Sequence, residues 1–380
     1  MRTRTPLLAP DEIWSDLVDR LKRRREARPL SATSWDLGTP SSWLAALLDE
    51  WQTFDAGSFQ DRIDGLEHRF VDLDGQRLHV AVASGEAPDP LPLLLTNGWP
   101  SSFLEFLELL PLLTNPTGDG APETDGFTVV MPALPGYGFS GPPVQGGLTG
   151  RRVAGLWRRL MVDVLGYEKF VAHGSDLGSG ITTWLARDNP DCVSAIHLAS
   201  PHLRAPTLST DDEQERFANH LAEWAVVEGG YSHIHSSKPG TLAAGLTDSP
   251  VGLAAWIGEK MVAWSSEESE GDGCFPRQLL LANLTLYWST GTIGTSMLPY
   301  WAYSHTDDVL PIDDPSPVPT AVTIFRGERV PFPQAPVSLG RRYLTIDRWT
   351  EHATGGHFPA ASVPRLLAQE LRESFRPYRR

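Results

Sequence analysis

One short segment, residues 170–181, restricts the fold of this chain more than any other. Its apolar start predicts a buried strand, and Gly174, Gly178 and Gly180 then allow a tight turn into a helix that packs close to that strand. Asp176 lies at the bend, where a strained strand-to-helix turn can hold a nucleophile above a sheet. A carboxylate oxygen there would attack saturated carbon and form an alkyl ester. The alternative is that Asp176 only caps the helix by accepting hydrogen bonds from backbone amides.

A histidine and two candidate acids follow this bend along the chain. His357 lies in a glycine-flanked loop, and Glu328 follows the short apolar stretch 319–325. The order nucleophile, acid, histidine is that of the α/β-hydrolase triad. Glu328 is favoured as the acid because it follows the carboxyl end of a predicted strand, where sites of α/β sheets gather. Asp347, after a later predicted strand at 342–346, is a rival for that role.

A second turn could supply hydrogen-bond donors to the same site. Residues 91–96 predict a buried strand, and the turn at 97–102 combines a glycine with a proline. This pair forces an abrupt change of direction, which a cis Trp99-Pro100 bond would allow, and it can direct the Trp99 amide at the bend. Together with the Leu177 amide, it would form an oxyanion hole. The alternative is an ordinary strand-to-loop turn around a buried tryptophan.

Charge and composition exclude several classes of partner. The net charge of −15 over 380 residues argues against nucleic acid, and the one basic run, at 22–25, continues an amphipathic helical pattern. Cys192 and Cys274 are too few for a disulfide framework and lack metal-ligand neighbours, so we expect a reducing cytoplasm, no metal and no cofactor. No segment approaches the ~20 apolar residues of a membrane span. Lysine occurs only at 22, 169, 238 and 260, which suggests a GC-rich bacterial genome.

Taken together, the motifs resemble those of the microsomal-type epoxide hydrolases, a branch of the α/β-hydrolase fold. Besides the bend at Asp176, the matching stretches are 97–102, 134–140, 230–235, 248–257 and 355–358. The resemblance implies that Asp176 is the nucleophile, His357 the base that activates water and Glu328 its acid partner. It further implies that two cap tyrosines, Tyr231 and Tyr300, bind the epoxide oxygen.

Three positions depart from the family pattern. Asn97 stands where the family usually has His, Ser175 where it has Gly, and Leu177 where it has Trp. Residue 177 contributes through its backbone amide, so the reaction should be preserved. These differences affect the shape of the substrate pocket.

The resemblance also implies the organisation of the chain. The fold class is α/β, a hydrolase core with a mostly parallel sheet, because strands near 91–96, 127–131, 169–173 and 193–198 alternate with helical patterns. A helical cap is inserted in the core, and an N-terminal segment with a hairpin turn at residues 74–75 wraps it. The acidic stretch 267–273 is predicted to be an exposed loop. The predicted regions are an N-terminal wrapping region 1–90, core parts 91–201 and 311–380, and a cap 202–310.

These features predict an epoxide hydrolase that uses water to form a vicinal diol. Bacterial relatives act in detoxification or in tailoring polyketide and enediyne natural products. We expect no N-terminal anchor of the kind that membrane-bound relatives carry. We therefore expect a soluble cytoplasmic enzyme, and a homodimer if the N-terminal region exposes aromatic surface.

Two other functions are compatible with parts of the pattern. A haloalkane dehalogenase would share the Asp nucleophile but commonly places an indole beside it, which Leu177 does not provide. A catalytically silent relative could keep the fold only to bind a ligand. The presence of all five implied catalytic residues argues against the silent relative.

Overall fold

An eight-stranded sheet is the central layer of the structure. The computed structural model describes residues 5–25, 28–144, 148–205, 211–266 and 274–379. The strands are β1 Glu67–Leu73, β2 Gln76–Ala83, β3 Leu91–Thr96, β4 Phe127–Pro132, β5 Phe170–Ser175, β6 Val193–Ala199, β7 Ser316–Phe325 and β8 Leu344–His352. Their spatial order is β1-β2-β4-β3-β5-β6-β7-β8.

The sheet is parallel from β4 to β8 and antiparallel at its other edge. There, β1 and β2 form the predicted hairpin, which turns through Asp74 and Gly75 with both residues at positive φ. The α/β class with a mostly parallel sheet is confirmed. Parallel strands are covered on both faces, which explains why β3 to β6 read as nearly continuous apolar runs.

Sixteen helices within the described residues surround the sheet. They are α1 Asp11–Lys22, α2 Ser41–Gln52, α3 Ala56–Asp64, α4 Leu110–Thr114, α5 Gly150–Arg159, α6 Leu177–Asp188, α7 Asp212–Val227, α8 Gly230–Ser237, α9 Pro239–Asp248, α10 Pro250–Ala263, α11 Arg277–Thr290, α12 Ile293–Ser296, α13 Leu298–Ser304, α14 Val337–Tyr343, α15 Pro359–Ser362 and α16 Pro364–Phe375. Helices α7 to α13 lie between β6 and β7 in sequence and form the cap.

One predicted strand begins in the wrong place. The sequence predicts a strand at 342–346, but α14 continues through Tyr343 and β8 begins at Leu344. Contacts of Arg342 explain why the helix extends past the predicted strand start. The Arg342 guanidinium donates hydrogen bonds to Asp313 at 2.7 Å and to Gln214 at 2.9 Å. These partners are 29 and 128 residues away in sequence, so local strand propensity is overridden by tertiary contacts.

The N-terminal helices connect the core to the cap. Helices α1 and α2 pack on α10, and the buried Trp51 indole donates a 2.9 Å hydrogen bond to Thr285 of α11. The aromatic side chains Trp14, Trp35 and Trp43 are half-buried, so the exposed aromatic surface on which the homodimer expectation depends is not present there. The homodimer therefore has no support from this surface.

Two further expectations concern exposed or membrane-spanning segments. The acidic stretch 267–273 lies outside the described residues. Within the described ranges, every helix is too short or too polar to cross a membrane.

The close approach of β5 and α6 generates a stability prediction. A Cβ at Gly174 would lie 2.1 Å from the Gly178 carbonyl oxygen, so Gly174→Ala should lower the free energy of unfolding by roughly 1–3 kcal/mol. The control is Gly245→Ala in α9, where an added Cβ meets nothing within 4 Å. The higher helix propensity of alanine should raise the free energy of unfolding of this variant by about 0.5–1 kcal/mol. Thermal and urea unfolding of both variants checks this, and equal shifts would contradict it.

Candidate active site

The bend at Asp176 is a strained elbow between β5 and α6. Asp176 has φ 52° and ψ −128°, a conformation that residues with a side chain rarely adopt and that is stable only when the surrounding structure enforces it. That enforcement is visible in the packing, because a Cβ at Gly178 would lie 2.0 Å from the Thr96 carbonyl oxygen. The first turn of α6 thus packs directly against the end of β3. The elbow holds the Asp176 carboxylate at the carboxyl edge of the sheet.

The two oxygens of Asp176 have different partners. Oδ1 accepts a 2.8 Å hydrogen bond from the Trp99 amide, and the Leu177 amide also interacts with the carboxylate. Oδ2 accepts a 3.0 Å hydrogen bond from His357 Nε2. The peptide bond between Trp99 and Pro100 is cis, and a Cβ at Gly98 would lie 1.9 Å from Asp176 Oδ1. The backbone can therefore reach the carboxylate only because residue 98 is glycine.

His357 lies between two carboxylates. Its Nδ1 is 3.6 Å from Glu328 Oε1, and Glu328 Oε2 accepts a 2.6 Å hydrogen bond from the Phe332 amide. The His357 amide donates to the Trp264 carbonyl at 2.9 Å. Asp347, the rival acid, lies in β8 and accepts a hydrogen bond from the Tyr378 hydroxyl instead. The structure thus brings Glu328, and not Asp347, to the imidazole.

Electrostatics favour an ion pair between Asp176 and His357. Burial disfavours the imidazolium and lowers the pKa of His357. The hydrogen bonds and charges of Asp176 and Glu328 outweigh the effect of burial, with the Asp176 hydrogen bond the largest, and raise the pKa to about 10. Burial likewise works against ionised Asp176. The hydrogen bond and charge of His357 nevertheless bring the pKa of Asp176 below its ordinary value. At neutral pH the resting site therefore holds a carboxylate and an imidazolium.

The two predicted cap tyrosines lie above this pair. Tyr231 in α8 stacks on the Trp99 ring with centroids 5.2 Å apart, and its ring centroid is 5.9 Å from that of Tyr300 in α13. Burial, reinforced by the charge of Asp176, raises the pKa of the Tyr231 hydroxyl far above its ordinary range. Burial raises the pKa of Tyr300 as well. Both phenols are therefore hydrogen-bond donors at any physiological pH.

A cavity of about 330 Å³ leads to the nucleophile. Asp176, Leu177 and Tyr300 line it, together with residues of the loop after β6 and of the cap. A larger surface pocket of about 630 Å³ lies at the amino ends of the strands, around Pro90 and Lys169, and contains none of the predicted site residues. The smaller cavity is the candidate site because ligands of open α/β sheets bind at the carboxyl ends of the strands.

A second histidine approaches the site. His202 stacks on Phe332 with ring centroids 4.5 Å apart, and its ligand atom lies within 4.8 Å of those of Asp176 and His357. These three side chains are the one group in the described ranges that could hold a metal ion. Asp176 and His357 already share a 3.0 Å hydrogen bond, so the arrangement fits a proton-transfer pair better than a metal centre.

Sequence reasoning missed His202 and also Glu105. Glu105 is buried in the short 3-10 helix Phe103–Phe106, just after the turn that carries the Trp99 amide. A charged residue within an otherwise apolar run could have indicated it. His202 has no such local signal apart from its place after β6.

Comparisons with known proteins identify the family of this chain. The family profiles described as "Epoxide hydrolase N terminus" and "alpha/beta hydrolase fold" match residues 3–106 and 92–225. A "Putative epoxide hydrolase" of Stigmatella aurantiaca is 34% identical over 377 residues, which are 98% of this chain and 84% of that protein. "Epoxide hydrolase 1" of Sus scrofa is 32% identical over 96% of this chain and 86% of that protein.

A solved structure is similar over nearly the same length. The epoxide hydrolase of Aspergillus niger superposes with a TM-score of 0.83 at 29% identity, covering 97% of this chain and 94% of that one. The elbow carboxylate, the imidazole and the two cap tyrosines thus occur in a chain that matches these relatives over nearly all of its own length. The chain belongs to the epoxide hydrolase family, within the α/β-hydrolase fold.

Proposed function

We propose that this protein converts an epoxide into a vicinal diol through an ester formed on Asp176. The observation that carries the proposal is the asymmetry of the Asp176 carboxylate. Oδ1 is held by the Trp99 amide, while Oδ2 is held by His357 beside the cavity that Tyr300 lines. This asymmetry supports a role for Oδ1 as the oxyanion of the hydrolysis step and for Oδ2 as the attacking atom.

In the first step, Asp176 Oδ2 attacks one epoxide carbon and the bond from that carbon to the ring oxygen breaks. Tyr231 and Tyr300 donate hydrogen bonds to the ring oxygen, and their raised pKa values keep both hydroxyls protonated before attack. The proton that completes the new hydroxyl group comes ultimately from the His357 imidazolium. The products of this step are a hydroxyalkyl ester and a neutral imidazole.

Formation of the ester itself converts His357 into a base. The hydrogen bond to Asp176 is the largest of the effects that raise the pKa of His357, and the charge of Asp176 adds to it, whereas burial lowers the pKa. Esterification removes that negative charge, so the pKa of His357 falls. A neutral imidazole is the form that can accept a proton from water.

In the second step, His357 takes a proton from water as the water oxygen bonds to the Asp176 carbonyl carbon. The Trp99 and Leu177 amides stabilise the oxyanion. The ester carbon–oxygen bond then breaks, the leaving alkoxide takes the proton from His357, and the diol leaves. Transfer of the carboxyl proton back to His357 restores the resting ion pair.

A haloalkane dehalogenase is the second candidate function. It is favoured by the indole nitrogens of Trp99 and Trp264, which are buried and have no hydrogen-bond partner within the described ranges. Indole N–H groups can bind a leaving halide, whereas the two cap tyrosines suit an alkoxide. Halide release from haloalkanes, compared with diol formation from epoxides, separates the two functions, and we expect diol formation.

The biological setting follows from the resemblance alone. We infer a bacterial enzyme of detoxification or of natural-product tailoring, acting in the cytoplasm. A panel of aryl and alkyl epoxides tests the substrate range directly.

The covalent step predicts different outcomes for two variants. His357→Gln should slow attack, because the imidazolium that supplies the proton is lost, and should slow hydrolysis far more, because the base is lost. An ester should therefore accumulate on the peptide spanning residues 170–187. Asp176→Asn should form no ester and lower kcat by about 10⁴-fold or more, because the nucleophile is lost. Mass spectrometry of acid-quenched enzyme measures the adduct and also excludes deamidation of the introduced amide. Full activity of the Asp176 variant would end the covalent proposal.

The cap tyrosines should act mainly in ring opening. Tyr231→Phe and Tyr300→Phe should each slow ester formation by about 10²–10³-fold, because each variant removes one donor to the developing alkoxide. Tyr167→Phe is the matched control, since this tyrosine lines the pocket at the opposite end of the sheet. Stopped-flow measurement of ester formation checks the prediction. Equal effects in all three variants would indicate a general loss of stability.

The ion pair also predicts the pH dependence of ring opening. Because the raised pKa of His357 is about 10, the imidazolium persists through neutral pH and is lost as the pH rises through that value. The value of kcat/KM should therefore be nearly constant around neutrality and fall near pH 10. A pH profile of kcat/KM for one epoxide measures this. A transition near 6.5, the ordinary pKa of histidine, would contradict it.

A further inference from the structure

Glu105 is an ionisable side chain that the proposed reaction leaves without a role. It lies in the 3-10 helix Phe103–Phe106, which begins three residues after Pro100, and it is only 2% exposed. The other residues of this helix are also buried and apolar. Burying a carboxyl group in such surroundings costs free energy unless it is paired or hydrogen-bonded.

The carboxyl group of Glu105 is incompletely satisfied by the protein. Its Oε1 has no hydrogen-bond partner among the described residues. Glu370, an equally buried acid, is different, because its oxygens accept hydrogen bonds from Thr350, Arg348 and His352. Glu105 therefore differs from Glu370, whose carboxylate oxygens are both held by hydrogen bonds within the protein. An unpaired buried oxygen of this sort is an acceptor available to a water molecule.

Glu105 is also close enough to the catalytic pair to influence it electrostatically. Burial raises the pKa of Glu105 to about 7, partly offset by the Ser101 hydroxyl and by the charge of His357, while the charge of Asp176 raises it. The helix Phe103–Phe106 packs against α15, which begins two residues after His357. Glu105 is absent from the residues that line the 330 Å³ cavity.

The turn that leads to Glu105 is held firmly in place. Asn283 donates a 2.8 Å hydrogen bond to the Pro100 carbonyl, and the Tyr287 hydroxyl donates a 3.2 Å hydrogen bond to the Ser101 carbonyl. Both donors belong to α11 of the cap. A carboxyl group on such a fixed segment can position a small molecule with little loss of entropy.

We propose that Glu105 positions the water that hydrolyses the Asp176 ester, an inference that rests on the proposed function. The Glu105 carboxylate accepts a hydrogen bond from one water hydrogen while His357 accepts the other hydrogen as a proton. The water lone pair is then directed at the Asp176 carbonyl carbon. The new carbon–oxygen bond forms from water, the proton goes to His357, and Glu105 ends the step in the charge state in which it began.

This role has a kinetic signature that a structural role lacks. A residue that acts only on hydrolysis lowers kcat and KM by the same factor and leaves kcat/KM unchanged, because kcat/KM reports steps up to ester formation. A residue that merely supports the fold around Asp176 would disturb attack as well. The two roles are separated by measuring ester formation and ester hydrolysis individually.

The test uses Glu105→Leu and Glu105→Gln in the full chain. Replacing this buried carboxyl, whose Oε1 has no hydrogen-bond partner among the described residues, by an apolar side chain of similar size should leave the melting temperature unchanged or higher. Glu105→Leu should nevertheless slow ester hydrolysis by about 10- to 100-fold, with ester formation unchanged and ester accumulating. Glu105→Gln should recover part of the rate, since its amide oxygen still accepts a hydrogen bond. Rapid acid quench with mass spectrometry follows the adduct for one epoxide.

Glu370→Gln is the matched control. It alters a buried acid that has partners, so it should lower stability while the ratio of the hydrolysis rate to the rate of ester formation stays at the wild-type value. A wild-type hydrolysis rate in Glu105→Leu, or an equal loss of both steps, would overturn the role of Glu105. If ester is absent from the wild type and from His357→Gln while diol accumulates, the covalent function itself fails and the role of Glu105 fails with it.

Discussion

The contact between Asp176 and His357 is the interaction on which the rest of the site depends. It joins residues 181 positions apart and buries two opposite charges. Burying these charges costs desolvation free energy unless both have further partners. The Trp99 and Leu177 amides supply those partners on the Asp176 side, and Glu328 supplies one on the His357 side. In the proposed reaction, an ester on Asp176 would remove one of these charges and thereby change the protonation of His357.

Close backbone packing makes this arrangement possible. Asp176 adopts a strained conformation, and residues 98, 174 and 178 leave no room for even one methyl group. The strain is offset by the buried strands on either side, which cannot move apart without losing apolar contacts. The backbone of β3, β5 and α6 therefore sets the position of the Asp176 carboxylate, and rotation of the Asp176 side chain contributes little to it.

The cap completes the site from a distance in sequence. Tyr231 stacks on the Trp99 ring, so the turn that carries the proposed oxyanion-hole amide also supports a proposed epoxide-binding tyrosine. The cap is in turn attached to the N-terminal helices, through contacts such as that between Trp51 and Thr285. The N-terminal region thus contacts the cap, although it supplies no residue to the predicted site.

The sequence alone determined the class of sheet, the elbow and the types of residue at the site. These features depend on local patterns, such as apolar runs and glycine spacing, together with chain order. Tertiary structure alone decided between Glu328 and Asp347, because both precede His357 and only their distances to the imidazole differ. It also ended α14 at Tyr343 and brought Glu105 and His202 to the catalytic pair. Contacts between residues far apart in sequence decided these points, and local periodicity carries no information about such contacts.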